Sequence, residues 1–241
     1  MNALRGLHLA HTFLTTLPLG HVGEVQDGEF RYASGFYPAV GWTLGVLLVV
    51  TAWITSFLPA GVSAALTLAV WLGLTGMLHF DGLVDSGDAL LVAKSPARRL
   101  EILGDVHIGA FGLAVGVVAL LLKWSALQAM SRDWQGMLGL LVTPVLARGA
   151  VLLPMNLFPA ARAESLGARS REGNWPVGLV FAIPAVLISP IAALVVVIAA
   201  FLVASFAARR LGGGISGDVY GAIIETGEIA ALVAVIAAHP H

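Results

Sequence analysis

The sequence predicts an all-α, polytopic integral-membrane helix bundle of about seven spans, within a range of five to seven, preceded by an amphipathic N-terminal helix. Three observations lead there. Of 241 residues, 58% are hydrophobic and only 11% are charged, against roughly 25% charged in an ordinary soluble domain. Apolar windows of about 20 residues, the length that crosses about 30 Å of hydrocarbon, recur along the chain. The charges gather between those windows and cluster by sign.

Composition excludes other classes. Thirteen basic residues against fourteen acidic ones leave a net charge of -1, so no overall field recruits nucleic acid or another polyanion. Such hydropathy also opposes disorder. With no cysteine, disulfides, thiolate metal sites and cysteine nucleophiles are absent, and any metal must be held by oxygen or imidazole.

The elements follow in order. Residues 1–35 form an interfacial segment. Its amphipathic helix carries Leu4, Leu7, His8, His11 and Leu14 and is ended by Pro18 and Gly20. Arg5 followed by His8 and His11 interrupts the apolar core that a cleaved signal peptide requires. Spans are expected at 36–58 and 60–78, joined at Pro59, and at 109–130 and 134–154, joined by Ser131, Arg132 and Asp133. The run 176–208 holds one span, or two short ones if Pro184 or Pro190 breaks it. A last span covers 219–238.

Assigning alternate loops to opposite sides puts Arg5, Arg31, Lys94, Arg98, Arg99, Arg162, Arg169, Arg171, Arg209 and Arg210 together, with Arg132 alone opposite. The basic side is expected to be cytoplasmic. Asp81, Asp85, Asp88, Glu101, Asp105 and Asp218 fall on that same side, so the active site is expected at the cytoplasmic face. Lys123 and Arg148 fall inside spans. Lys123 either snorkels or faces the bundle, and Arg148 requires an anionic partner, one of the acids or a ligand phosphate. No repeat or composition shift marks a second domain, so residues 1–241 form one. Within it lie an acidic cytoplasmic catalytic loop at 79–108 and a Gly-rich turn leading into an acidic helix at 209–228.

The run from His79 to Asp88 is the most informative segment. On a helix, positions i, i+4 and i+7 fall within about 60° of one another at 100° per residue, so Asp81, Asp85 and Asp88 share a face. Three adjacent carboxylates repel unless a cation joins them. Magnesium bridges carboxylates to substrate phosphates, the arrangement a phosphoryl-transfer site uses. His79 at the span's end is either interfacial or a contact to substrate or metal. Downstream, Arg98 and Arg99 are topogenic charges or a phosphate clamp. Glu101 and Asp105, at i and i+4, form a second acidic face, and Gly109 and Gly112 open the next span.

The turn Gly212, Gly213, Gly214, Ile215, Ser216, Gly217 leads to Asp218, Gly221, Glu225 and Glu228 at offsets 0, 3, 7 and 10, within about 80° of helix surface. Such a turn presents backbone N–H groups to phosphate. A carboxylate in a spanning helix costs roughly 2–3.5 kcal/mol, so Glu225 and Glu228 call for a polar cavity or a cation. Arg162, Arg169 and Arg171, beside Glu164 and Glu172, form a topogenic loop or an anion site.

Phe13 to Pro18, Phe36 to Gly41, His79 to Asp88, Leu100 to Gly112 and Gly213 to Glu228 together resemble the cobalamin synthases, also called adenosylcobinamide-GDP ribazoletransferases, over nearly the whole chain. Thr16 stands where that family usually has a basic residue, and Phe80 where Leu is more usual. The resemblance implies a magnesium-dependent membrane transferase of cobalamin biosynthesis. A ribose hydroxyl of α-ribazole, or of its 5'-phosphate, attacks the phosphate on the cobinamide side of adenosylcobinamide-GDP, and GMP leaves. It further implies Asp81, Asp85 and Asp105 as metal ligands, with Asp88 as base or a further ligand. These four form the expected catalytic set. Asp218, Glu225 and Glu228 are a second metal or substrate set, with Gly213, Gly214 and Gly217 near the GDP moiety. His79, Arg98, Arg99, Glu101 and Arg148 are expected substrate contacts. The acid spacing also resembles that of CDP-alcohol phosphotransferases. Expected partners are the two substrates and membrane lipid, with no nucleic acid and with homo-oligomerisation left open.

Two other classes compete. Intramembrane acids often mark cation pathways, so a cation transporter is the alternative. Its weakness is that most acids lie at one face rather than at the midplane. An intramembrane aspartyl protease would use Ser216, Gly217 and Asp218, but Ile215 replaces its leading glycine and Asp81 to Asp88 has no role in it.

Overall fold

The structure, a computed structural model, describes residues 2–161, 170–171 and 173–238. Arg162, Arg169, Glu164 and Glu172 of the basic loop, and His239, Pro240 and His241, lie outside the described residues. The helices are α1 Ala3–Leu14, α2 Glu29–Ser34, α3 Tyr37–Ile54, α4 Ala60–Leu74, α5 Leu78–Leu91, α6 Pro96–Ile102, α7 Ala110–Ala129, α8 Trp134–Ala150, α9 Leu152–Leu157, α10 Trp175–Ile188, α11 Pro190–Leu211 and α12 Gly217–Ala238. Among the described residues the only extended pairing is an isolated bridge between Ala160 and Ile215.

Among the described residues, five helices are long and apolar enough to cross a membrane: α3, α7, the continuous run Trp134–Leu157, α11 and α12. A sixth crossing exists only if α4 and α5 count together, and they meet at a 90° bend. The bend has a local cause. Gly76 and Met77 both take positive φ, 57° and 60°, a region most residues avoid, and the Met77 N–H turns back to the Leu72 carbonyl at 3.0 Å. Thr16 secures the end of α4, its N–H donating to Leu74 O at 2.8 Å and its hydroxyl to Gly73 O at 2.8 Å. The expected loop 79–108 is therefore largely two helices, α5 and α6. The run 176–208 breaks at Ser189 and Pro190, whereas Pro184 stays inside α10. At 14 residues α10 spans only about 21 Å, short of a crossing.

Apolar side chains remain exposed on the outer helices, among them Leu113, Val117 and Leu121 of α7 and Leu194, Ile198 and Leu202 of α11. In water a patch of this kind is costly, and in lipid it is the ordinary surface. The interior is built around α12, which packs on α11, α5, α8 and α7. Close approach depends on glycine. A β-carbon on Gly41 would stand 2.5 Å from the Val145 Cα of α8. Small residues let spanning helices touch backbone to backbone, which replaces the hydrophobic drive that lipid removes.

The N-terminal helix buries a different face from the expected one. Gly6, Leu9, Ala10 and Leu14 point inward, while Leu4 is exposed. The helix also stops earlier, at Thr15, whose hydroxyl donates to the His11 carbonyl at 2.7 Å. Arg5 ties the helix to the polar stretch behind it through Glu29, at 2.7 Å, and through the Val22 and Glu24 carbonyls. The Arg5 hydrogen bond holds the Glu29 carboxyl down to about 2.

Candidate functional site

The site begins where the chain resumes after the Met77 bend. The first turns of α5 carry His79, Asp81 and Gly82, and the first turns of α12 carry Gly217, Asp218, Tyr220 and Gly221. The two helices cross with almost nothing between them. A β-carbon on Gly82 would lie 2.7 Å from the Asp218 carbonyl oxygen, and one on Gly221 would lie 2.9 Å from that of His79. This contact brings Asp81 and Asp218, distant in sequence, to the wall of one cleft of about 200 Å³. Phe13 and Leu14 of α1, Tyr37 of α3, Val151, Met155 of α9 and Ile224 of α12 complete much of its apolar side. Two polar atoms on buried wall residues, His79 Nε2 and Tyr220 Oη, have no hydrogen-bond partner.

Asp85 lies one turn beyond Asp81 and is partly buried. Its charged neighbours are all acids: Asp81, Asp218 and Asp88. The helical grouping expected of Asp81, Asp85 and Asp88 is thus present, and α12 adds Asp218 to it. Among the described residues, however, no three His, Asp or Glu side chains converge closely enough to hold a metal ion by themselves.

Asp88 has a different task from the expected base or ligand. Its two carboxylate oxygens accept the N–H groups of Gly109, at 2.7 Å, and Gly112, at 2.8 Å. These are orphan donors at the start of α7, so Asp88 caps that helix from its neighbour. Asp105 also stands apart. It sits in the exposed loop before α7 and accepts both the backbone N–H of His107 and a hydrogen bond to the ring Nδ1 at 2.7 Å, which hold its carboxyl below the usual range. The expected ligand role of Asp105 has no support in this arrangement.

The basic residues before α7 do not line the cleft. Arg98 and Glu101 are exposed and pair with each other. Arg99 is buried and spends its guanidinium on backbone carbonyls, those of Val92 and Arg210 at 3.0 Å each. Arg210 answers by donating to Leu90 O at 2.9 Å. The two arginines therefore lock the ends of α5 and α11 together, because C-terminal carbonyls have no partner within their own helix. The phosphate clamp expected of Arg98 and Arg99, and the substrate contact expected of Glu101, give way to these internal partners.

The Gly-rich turn is likewise structural for most of its length. Gly212 is the left-handed cap of α11, and the Gly213 N–H bonds to Ala208 O at 2.7 Å. Gly214 packs against the backbone of Ala160 and Ala161. The next amide, of Ile215, donates to Pro159 O. With its amide engaged, Gly213 cannot join the expected phosphate cradle, and neither Gly213 nor Gly214 lines the cleft. Gly217 alone of the three lines the cleft.

Deeper in α12, Glu225 and Glu228 are fully buried and meet cations of other helices. Lys123 of α7 donates to both, at 2.7 Å to Glu225, and its Nζ lies 4.6 Å from the Trp71 ring centroid. Arg148 of α8 donates to Glu228 at 2.7 Å. The second metal set expected of Asp218, Glu225 and Glu228 divides accordingly: Asp218 belongs to the cleft and the glutamates to an ion-pair network. Arg148 has the acidic partner that its position required, and Lys123 faces the bundle. With its acids neutralised by fixed cations, this network also removes the main support for a cation pathway.

Sequence reasoning missed Tyr37, Tyr220, Phe13 and Met155 as cleft residues. Phe13 and Tyr37 stood inside segments already singled out, and Tyr220 lies two residues beyond Asp218. Apolar and aromatic residues in an apolar chain carry no local sign of which surface they face.

Residues 6–236 match the family described as Cobalamin-5-phosphate synthase. An adenosylcobinamide-GDP ribazoletransferase of Deinococcus radiodurans is 56% identical over 230 residues, covering 95% of this chain and 84% of that protein. Proteins with the same name from Desulfitobacterium hafniense and Bradyrhizobium diazoefficiens are 39% and 34% identical, covering 95% and 96% of this chain and 95% and 93% of their own lengths. No solved structure matches.

Proposed function

The chain belongs to the cobalamin-5-phosphate synthase family, and we propose that the cleft between α5 and α12 is where it carries out the family's transfer in a magnesium-dependent reaction at the cytoplasmic face of the inner membrane. The enzyme is a transferase of cobalamin biosynthesis. It moves the adenosylcobinamide-phosphate part of adenosylcobinamide-GDP to a ribose hydroxyl of α-ribazole or α-ribazole 5'-phosphate and releases GMP. The observation that carries the site is the presence of Asp81 and Asp218, from two helices in backbone contact, on the wall of one cleft.

The donor set suits magnesium. Asp81, Asp85 and Asp218 offer hard carboxylate oxygens in one neighbourhood, and magnesium typically takes only one or two carboxylates, filling its shell with water and substrate phosphate. A three-ligand protein cage is therefore unnecessary. Asp81 and Asp85 would hold the ion, which when bound supplies charge neutralisation to a pyrophosphate under attack. The ribose oxygen forms a bond to the cobinamide-side phosphorus, and the bond from that phosphorus to the bridging oxygen breaks. GMP departs with that oxygen. Asp218, facing the acceptor across the cleft, takes the hydroxyl proton. The cytoplasmic orientation rests on the basic residues Lys94, Arg98, Arg99, Arg209 and Arg210 on the same side as this cleft.

The test is release of GMP by the purified protein in detergent or liposomes, given adenosylcobinamide-GDP and either acceptor form. GMP and a cobalamin product with magnesium, and neither with EDTA, are expected. Equal rates in EDTA would remove the metal from the mechanism, and absence of GMP from folded protein with both acceptors would remove the transfer itself.

A further inference from the structure

Taking the transferase reading as its premise, the apolar half of the cleft has an occupant of its own. Its acidic end, Asp81 and Asp218, is suited to the reacting hydroxyl and phosphate. The remainder is walled by Phe13, Tyr37, Met155 and Ile224, with Tyr220 and His79 among them. A volume of about 200 Å³ does not admit a corrinoid, and a wall of this composition does not suit the charged diphosphate of the donor. It suits one flat ring system.

The polar atoms on that wall narrow the choice further. Tyr220 is 8% exposed and His79 3%, yet Tyr220 Oη and His79 Nε2 have no hydrogen-bond partner. Buried polar groups are almost always paired, and leaving one unpaired is costly. An apolar guest would leave that cost in place. A guest with a ring heteroatom would remove it. The Phe13 and Tyr37 rings lie 28° from parallel with centroids 6.4 Å apart, so the wall opposite α12 is itself aromatic, and aromatic rings pack favourably beside others.

We propose that this cleft binds the heteroaromatic base of the acceptor riboside, with the Tyr220 hydroxyl donating to the ring nitrogen that the ribose leaves unsubstituted. Seated there, the base directs its ribose toward Asp81 and Asp218, where the hydroxyl must react. Tyr220 is then a specificity residue. It rewards a base with an in-plane acceptor at that position, and the surrounding apolar wall excludes bases bearing charged substituents.

The experiment measures acceptor binding directly and then turnover. The protein in detergent is titrated with α-ribazole in the absence of donor, and in parallel with the indole riboside, which has the same shape but lacks the free ring nitrogen. Tyr220→Phe, which removes one oxygen, is expected to weaken α-ribazole about tenfold, the equivalent of one hydrogen bond, and to leave the indole riboside unchanged. In GMP-release kinetics the same variant raises the KM for α-ribazole by a similar factor and leaves that for adenosylcobinamide-GDP within twofold. Met155→Trp, which fills the cleft, weakens both ribosides.

Equal loss of both ribosides in Tyr220→Phe overturns the hydrogen bond. Unchanged acceptor binding in both variants, or a rise in the donor KM alone, overturns the site. If wild-type protein binds α-ribazole but releases no GMP, the transfer chemistry has failed and the binding site stands.

Discussion

Two groups of acids sit on α12 and its neighbours, and they are treated in opposite ways. At the mouth, Asp85 has the acids Asp81, Asp218 and Asp88 as its charged neighbours. About two turns deeper, Glu225 and Glu228 are clamped by Lys123 and Arg148. Depth explains the difference. A carboxylate shut inside a spanning bundle must have a permanent partner, because neither water nor a mobile ion reaches it. One at an open cleft can share an exchangeable cation with a substrate. The deep pairs hold helices α7, α8 and α12 together, whereas Asp81 and Asp218 line the open cleft.

The contrast is most sharply tested in the deep network. Glu228→Gln leaves Arg148 and Lys123 with an uncompensated charge, and breaking a buried pair from one side costs about 3–5 kcal/mol. The expected result is a large fall in thermal stability in detergent, with Glu228→Leu combined with Arg148→Met recovering much of it. A Glu228→Gln protein as stable as wild type would show that the network does not hold the bundle. At the mouth the consequence should be catalytic. Asp81→Asn is expected to lower GMP release by about a hundredfold or more, the scale of a lost metal ligand, with unchanged melting. Loss of stability without a specific loss of rate would move Asp81 into the structural group.

Asp88 lies between these cases, on the same face of α5 as Asp81 yet spent on capping α7. Asp88→Ala is expected to cost about 1 kcal/mol, as lost caps do, visible as a small drop in melting temperature. Its magnesium dependence should match wild type. A shifted magnesium requirement in this variant would return Asp88 to the metal set.

Much of this was legible beforehand. Hydropathy located α3, α7, the Trp134–Leu157 run and α12 to within a few residues, whereas the expected span 60–78 is the shorter α4 before its bend and the crossing within 176–208 begins only at Pro190. The 0, 4, 7 spacing of Asp81, Asp85 and Asp88 foretold one helical face. The need for a partner to Arg148 was also evident from its place in an apolar run. Other residues misled for physical reasons. Arg99 reads as a free cation until its carbonyl partners at Val92 and Arg210 are seen, and the Gly212 to Gly214 turn reads as a phosphate loop until the Gly212 and Gly213 amides are found bonded to Ala208 O. Local sequence carries the donor's identity and leaves out whether its hydrogen-bonding capacity is already used.

What the sequence by itself determined is the membrane class, the family and the side of each helix on which the acids stand, because composition, hydropathy and the 3.6-residue period act within one element. The tertiary structure alone decided which acids are catalytic candidates and which are structural. Lys123 lies 102 and 105 residues from the two glutamates it binds, and Asp81 shares a cleft with Asp218 only because Gly82 and Gly221 let α5 and α12 touch. A carboxylate's role depends on the charges packed against it and on its distance from water, and both are properties of the assembled bundle.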